Sequence, residues 1–197
     1  MSHYFMKQGK KVTTRLLSEY VLGVTVEFYV ARGLFSVDRI DEGTRLLLES
    51  ARLPESGVVL DLGCGYGAIG ITVAKAKPAL RVVMVDVNPL AVKLAKLNAK
   101  HNGVQDRVEV YLGDLYEPVK GQVFDAILTN PPISAGMEVV SRIVREAKNH
   151  LKPGGSLQMV VRKGAGSVSS MLEEHFGGYE VLARKRGYTV LYAEKTQ

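Results

Sequence analysis

The chain has 197 residues, 46% of them hydrophobic, which suits one compact domain with a sizeable core. Its 26 basic and 20 acidic side chains leave a net charge of +6, which permits a polyanionic partner without establishing one. Cys64 is the only cysteine, so an internal disulfide is excluded and a cytoplasmic setting is expected; no stretch reads as a secretory signal or a transmembrane span, so no membrane partner is expected.

Residues 1–10 read as weakly attached chain. From Val12 to Ala31 the pattern turns β-like. Val24, Val26, Phe28 and Val30 alternate with Thr25, Glu27, Tyr29 and Ala31, as in a half-buried strand, and Leu22-Gly23 suits the turn of a hairpin. Residues 1–40 are too short for their own core and are expected as a β extension packed on a main domain, 41–197. There a helix is predicted from about Glu42 to Ala51, with Asp41 as its cap and Pro54-Glu55-Ser56-Gly57 closing the segment. Strand 58–62 leads to helix 68–77, and strand 81–86 to a helix from Pro89 to His101, with Asn88 as N-cap and Gly103 just beyond its end. Strands 107–112 and 124–129 follow. A helix at 137–150 stops before Lys152-Pro153-Gly154-Gly155, and strand 156–162, helix 166–176 and strands 179–184 and 188–193 complete the pattern. The alternation predicts an α/β fold: a Rossmann-like, doubly wound, mostly parallel seven-stranded sheet with helices on both faces.

The densest signal is Val58 to Gly70. An apolar strand runs into Gly63, Gly65, Gly67 and Gly70, where backbone can come close to a ligand, and then into a helix whose N-terminal N–H groups face the turn. Such a site holds a nucleotide-like ligand at the carboxyl end of a central strand. Gly65-x-Gly67-x-x-Gly70 fits the dinucleotide fingerprint, which is weak on its own. Asp61, two residues before the first glycine, opposes a pyrophosphate and suits a ligand with an ammonium group and a positive sulfur. Asp86 ends the next strand, 19 residues after Gly67, near the spacing of an acid that takes ribose hydroxyls.

A second motif follows strand 124–129. In Asn130-Pro131-Pro132-Ile133 two prolines stiffen the backbone and remove two donors, leaving the Asn130 side-chain oxygen and the Pro131 carbonyl as acceptors. Two acceptors can hold both hydrogens of a planar amine and aim its lone pair at a methyl donor, which is catalysis by position without a covalent intermediate. Cys64 sits inside the glycine turn and is not read as a nucleophile. His3, His101, His150 and His175 are dispersed, so no metal is implied.

Asp61 with Gly63-x-Gly65-x-Gly67, followed by Asp86, resembles the class I S-adenosylmethionine-dependent methyltransferases. Gly33-Leu34-Phe35-Ser36, Asp41-x-Gly43-Thr44, Gly113-Asp114-Leu115-Tyr116 and Asn130-Pro131-Pro132-Ile133 extend the likeness. The chain after about Phe28 resembles the small methyltransferase domain of the ribosomal-RNA guanine-N2 methyltransferases and their single-domain archaeal relatives. The resemblance implies S-adenosyl-L-methionine as cofactor and an RNA partner, with methyl transfer to an exocyclic base nitrogen, guanine N2 of ribosomal RNA first. It also implies an antiparallel last strand. The cofactor set is Phe35, Asp61, Gly63, Cys64, Gly65, Gly67, Asp86, Val87, Asp114, Leu115 and Asn130. Within it Asp86 takes the ribose hydroxyls and Asp114 the adenine amine. Asn130, Pro131 and Pro132 form the catalytic set, and Ile133, Arg32 and Tyr188 meet substrate. Ile133 stands where related enzymes often carry an aromatic that stacks on a base, a contact worth about 1–3 kcal/mol. Adenine N6 chemistry and a protein glutamine amide therefore stay open as alternatives. A small-molecule methyltransferase, a nicotinamide oxidoreductase and a non-catalytic RNA-binding module rank lower. Larger relatives carry a duplicated second domain, so RNA targeting here would call on the N-terminal strands and on Arg15, Arg32, Arg162, Lys163, Lys185 and Arg186.

Overall fold

The computed structural model describes residues 4–7, 10–32, 38–131 and 136–197, with side chains from Val12 onward. Seven strands form one sheet: β4 (Gly57–Leu62), β5 (Leu80–Asp86), β6 (Val108–Leu112), β7 (Phe124–Thr129), β8 (Leu151–Val161), β9 (Glu180–Lys185) and β10 (Tyr188–Glu194). Their order is β6-β5-β4-β7-β8-β10-β9. The first five strands are parallel to their neighbours, and β10 runs antiparallel between β8 and β9.

Strand pleating sorts the side chains to two faces. Val59, Val82, Met84, Ala126 and Leu128 face α1 (Glu42–Ser50), α2 (Ala68–Ala76) and α3 (Pro89–His101). Leu60, Leu62, Val83, Val85 and Ile127 face α4 (Gly136–Ala147) and α5 (Ala165–Phe176). Both faces are covered, which is why these strands read as unbroken apolar runs rather than as alternation.

A separate three-stranded antiparallel sheet is formed by β1 (Tyr4–Lys7), β2 (Lys10–Val21) and β3 (Val24–Ala31). The β2–β3 turn is Leu22-Gly23, with φ of 51° and 76°, the doubly positive pair that matches the twist of a hairpin. Val26, Phe28 and Val30 are fully buried in the same core as α1–α3. Asn98 on α3 and Asn102, the C-cap residue one turn further on, serve the free edge of β3 as a further strand would. Asn98 accepts from the Tyr29 N–H at 2.7 Å and donates to its carbonyl at 3.1 Å, and Asn102 does the same for Glu27 at 3.1 and 2.7 Å.

Two expectations change. Residues 4–7, read as weakly attached, pair with β2 from Lys10 to Thr13. Strand β8 starts at Leu151 and passes through Pro153-Gly154-Gly155 instead of starting after them. The ladder with β7 slips there, Gly154 takes a φ of 78°, and its N–H donates to the Lys195 carbonyl, so turn residues form an irregularity within a strand. Among the described residues no helix is long and apolar enough to cross a membrane.

Candidate active site

Parallel pairing of β4 with β7 sets Asp61 beside Leu128 and Leu62 beside Thr129. The next residues of each strand are therefore the glycine turn and Asn130-Pro131. The strand order reverses between these two strands, and crevices in open α/β sheets lie at that point.

The turn is pinned by carboxylates. Asp86 accepts from the Gly65 N–H through Oδ2 and from the Asn88 N–H through Oδ1, both at 2.8 Å, and so ties the turn to the end of β5. Gly63, Gly65 and Gly67 have φ of 75°, 56° and 101°, a region closed to most L side chains. Asp61 differs from its expected place. It is fully buried behind the turn, accepts from the Gly70 N–H at 2.8 Å, and is not among the residues that line the cavity. Its Oδ1 has no partner among the described residues. Burial pushes this carboxyl up to about 7, the Gly70 N–H opposes the rise, and the charge of Asp86 adds to it.

In front of the turn lies a cavity of about 450 Å³. Gly63, Cys64, Gly65, Asp86, Val87, Asp114, Leu115 and Asn130 all border it, so most of the expected cofactor set converges on one space. Leu62, Ile69, Val139 and Ile143 supply apolar wall, and Asp114 is held by Arg142 at 2.9 Å. Cys64 is buried, and burial first, then Asp61 and Asp86, pushes its thiol well up, which disfavours the thiolate. Among the described residues the lining includes Asp41, Asp86 and Asp114 but no lysine or arginine. Such a wall repels a pyrophosphate and suits hydroxyls, an amine and a cationic sulfur.

A second cavity of about 470 Å³ is lined by Met137, Val140, Val160, Val161, Arg162, Lys163 and Tyr188. Asp41, Asn130 and Pro131 border both cavities, so they form the partition. The Asn130 Nδ2 donates to Asp41 Oδ2 at 3.0 Å and to Thr44 Oγ1 at 2.9 Å. Asp41 Oδ2 also accepts from the Thr44 N–H at 3.1 Å, as the N-cap of α1. The Tyr188 hydroxyl lies 3.4 Å from Asp41 Oδ1, and the Arg162 guanidinium sits 5.5 Å from the centre of the Tyr188 ring.

Of the remaining expected residues, Gly67 caps α2 without bordering the first cavity, and Arg32, exposed just after β3, borders neither cavity. Phe35, Pro132 and Ile133 lie outside the described residues. Arg15 and Arg186 are engaged by Asp38 and Glu42. Sequence reasoning missed Asp41, Thr44, Val139 and Ile143 as parts of this site. Asp41-x-Gly43-Thr44 carried a usable signal, because it places a capping acid and a hydroxyl on one helical turn. Among the described residues no cluster of His, Cys, Asp and Glu could hold a metal ion.

Residues 25–192 match the model of the methyltransferase small domain. The chain belongs to this family. It is a family of S-adenosylmethionine-dependent enzymes, and its fold is the one described above. YbxB of Bacillus subtilis is 43% identical over 167 residues, with 83% of each chain covered. Ribosomal RNA small subunit methyltransferase C of Haemophilus influenzae is 35% identical over 166 residues, covering 82% of this chain and 49% of that protein. The chain thus spans about half the length of the curated ribosomal-RNA methyltransferases it matches. A 16S ribosomal-RNA guanine-N2 methyltransferase from T. thermophilus, solved with AdoMet and guanosine, superposes with a TM-score of 0.82 at 28% identity, covering 99% of this chain and 58% of that one.

Proposed function

We propose that this methyltransferase acts on an exocyclic amino nitrogen of an RNA base, with guanine N2 of ribosomal RNA as the specific target. The observation that carries the proposal is the partition: one acidic, glycine-lined cavity and one cavity edged by Tyr188 and Arg162 meet at Asn130-Pro131. In the first cavity Asp86 would hold the ribose hydroxyls and Asp114 the adenine amine, with Gly63 and Gly65 leaving room beside the turn for the rest of the cofactor. S-adenosylmethionine supplies there an electrophilic methyl carbon on a positive sulfur.

On the other side of the partition, Asn130 Oδ1 and the Pro131 carbonyl accept the two hydrogens of the substrate amine. That holds the amine flat against the partition and directs its lone pair through it. Most of the rate comes from alignment, a term that reaches about 7–11 kcal/mol in well-ordered intramolecular reactions. One amine proton is surplus after transfer and leaves to solvent. The guanine-N2 methyltransferase from T. thermophilus, solved with guanosine, supports guanine over adenine.

The test is transfer of labelled methyl to unmodified ribosomal RNA, transfer RNA and ribosomal protein, assayed separately, with nucleoside mass spectrometry of the labelled RNA. Label recovered as N2-methylguanosine is the expected outcome. N6-methyladenosine would move the target to adenine, and label on protein alone would move it to the glutamine amide.

A further inference from the structure

We infer that Asp41 is a positioning residue for the transfer: it turns the Asn130 amide so that Oδ1 faces the substrate amine. The inference rests on the reading of Asn130 given above. Both hydrogens of Asn130 Nδ2 are taken, one by Asp41 Oδ2 at 3.0 Å and one by Thr44 Oγ1 at 2.9 Å. Turned over, the amide would set its oxygen against a carboxylate, acceptor facing acceptor, so this orientation is held by charge as well as by geometry. Among the described residues no donor meets Asn130 Oδ1, which leaves that atom for a ligand on the partition between the cavities.

The surroundings fit Asp41 to this work. Its Oδ2 is fixed a second time by the Thr44 N–H, and Tyr188 stands on its Oδ1 side. Gly43 lets the two groups converge, since a Cβ there would lie 2.7 Å from the Tyr188 ring and 3.0 Å from Asp41 Oδ2. A carboxylate bonded to the amide N–H also polarises the amide and strengthens Oδ1 as an acceptor. Its negative charge lies near a nitrogen that becomes positive as it takes the methyl group.

The rival account makes Asp41 a helix cap and nothing more. Asp41→Ser separates the two, because serine also caps helices but is too short to reach Asn130. We expect Asp41→Ser to keep a near-native melting temperature and an RNA KM within about threefold of wild type, while kcat at saturating cofactor falls about 30- to 100-fold, the scale of a small misplacement of reacting groups. Asp41→Asn, which keeps length and an acceptor, recovers part of that loss. An Asp41→Ser variant that turns over at the wild-type rate overturns the inference, and so does a loss of turnover matched by equal losses of cofactor affinity and melting temperature. Hydrogen exchange of the Asn130 side-chain amide, followed by NMR, needs no substrate. Slow exchange in wild type and fast exchange in Asp41→Ser support the inference, and equal exchange overturns it. If wild type transfers no methyl group to RNA while the exchange rates differ, the substrate reading fails and the Asp41 contact stands.

Discussion

Removing the Asn130 side chain takes one acceptor from the partition and leaves the walls of the first cavity otherwise in place. Asn130→Ala is therefore expected to hold cofactor affinity by calorimetry within a few-fold while kcat drops about 100- to 1000-fold, the usual cost of one aligned polar group. Near-normal turnover would remove Asn130 from the mechanism. Asp61 acts on a different quantity. Its folded-state carboxyl sits at about 7 because it is buried with one lone oxygen, so its ionisation opposes folding. A raised carboxyl contributes stability that is present below its unfolded value and is lost as pH climbs through the folded one. Wild type should thus lose melting temperature relative to Asp61→Asn between the ordinary carboxylate range and pH about 7. Parallel pH curves would show that Asp61 is ionised and compensated. These residues also mark what sequence can reveal. The glycine turn and Asp86 are legible because their geometry is local to one strand-turn-helix unit. Asp61 is legible as functional, yet its side is not: a buried carboxylate pinning the Gly70 N–H and one facing a ligand leave the same letter in the chain. The Asp41–Asn130 pair is invisible in the pattern, since 89 residues separate its members.

At the scale of elements, helices and interior strands were legible from periodicity and caps. Asn88 accepts from the Leu90 N–H, with Pro89 at the first helical position, as the pattern of α3 predicts. The failures occur where pairing overrides local preference. Pro153-Gly154-Gly155 reads as a stop, but Lys195 bonds Gly154 and Gly155 and carries the strand across it. Tyr4–Lys7 has little to recommend it as a strand until β2 supplies an edge. The α3–β3 clip yields a prediction at this scale. Asn98 is fully buried and joins β3 through both polar groups of Tyr29 and the turn through the Tyr66 carbonyl at 2.8 Å. Asn98→Ala removes the hydrogen bonds that Asn98 makes to three backbone groups, and a lost buried partner costs about 1–3 kcal/mol. Denaturant unfolding should register a loss of at least about 2 kcal/mol, together with weaker cofactor binding because Tyr66 borders the first cavity. A variant as stable as wild type would mean that the helix does not anchor the N-terminal sheet.

For the whole molecule, the RNA substrate proposed above, taken with the net charge of +6 and with Arg162 and Lys163 on the second cavity, predicts binding driven by counterion release. Raising salt from about 50 to about 200 mM should weaken RNA binding at least about tenfold, with log K falling linearly in log salt. A flat response in a binding assay would detach the charge from the substrate. The seven-stranded count was legible in the alternation of elements, whereas the strand order was not, because spacing carries no information on which strands become neighbours. That order has an effect in time as well as in space. Strand β10 enters the sheet between β8 and β9, and its first residue, Tyr188, meets Asp41 across 147 positions of chain. During synthesis the glycine turn and Asn130 emerge well before their last neighbour, and the second cavity is complete only when the final strand is in place. A chain that lacks β10 therefore still holds every residue that borders the first cavity, while its second cavity has lost the Tyr188 wall.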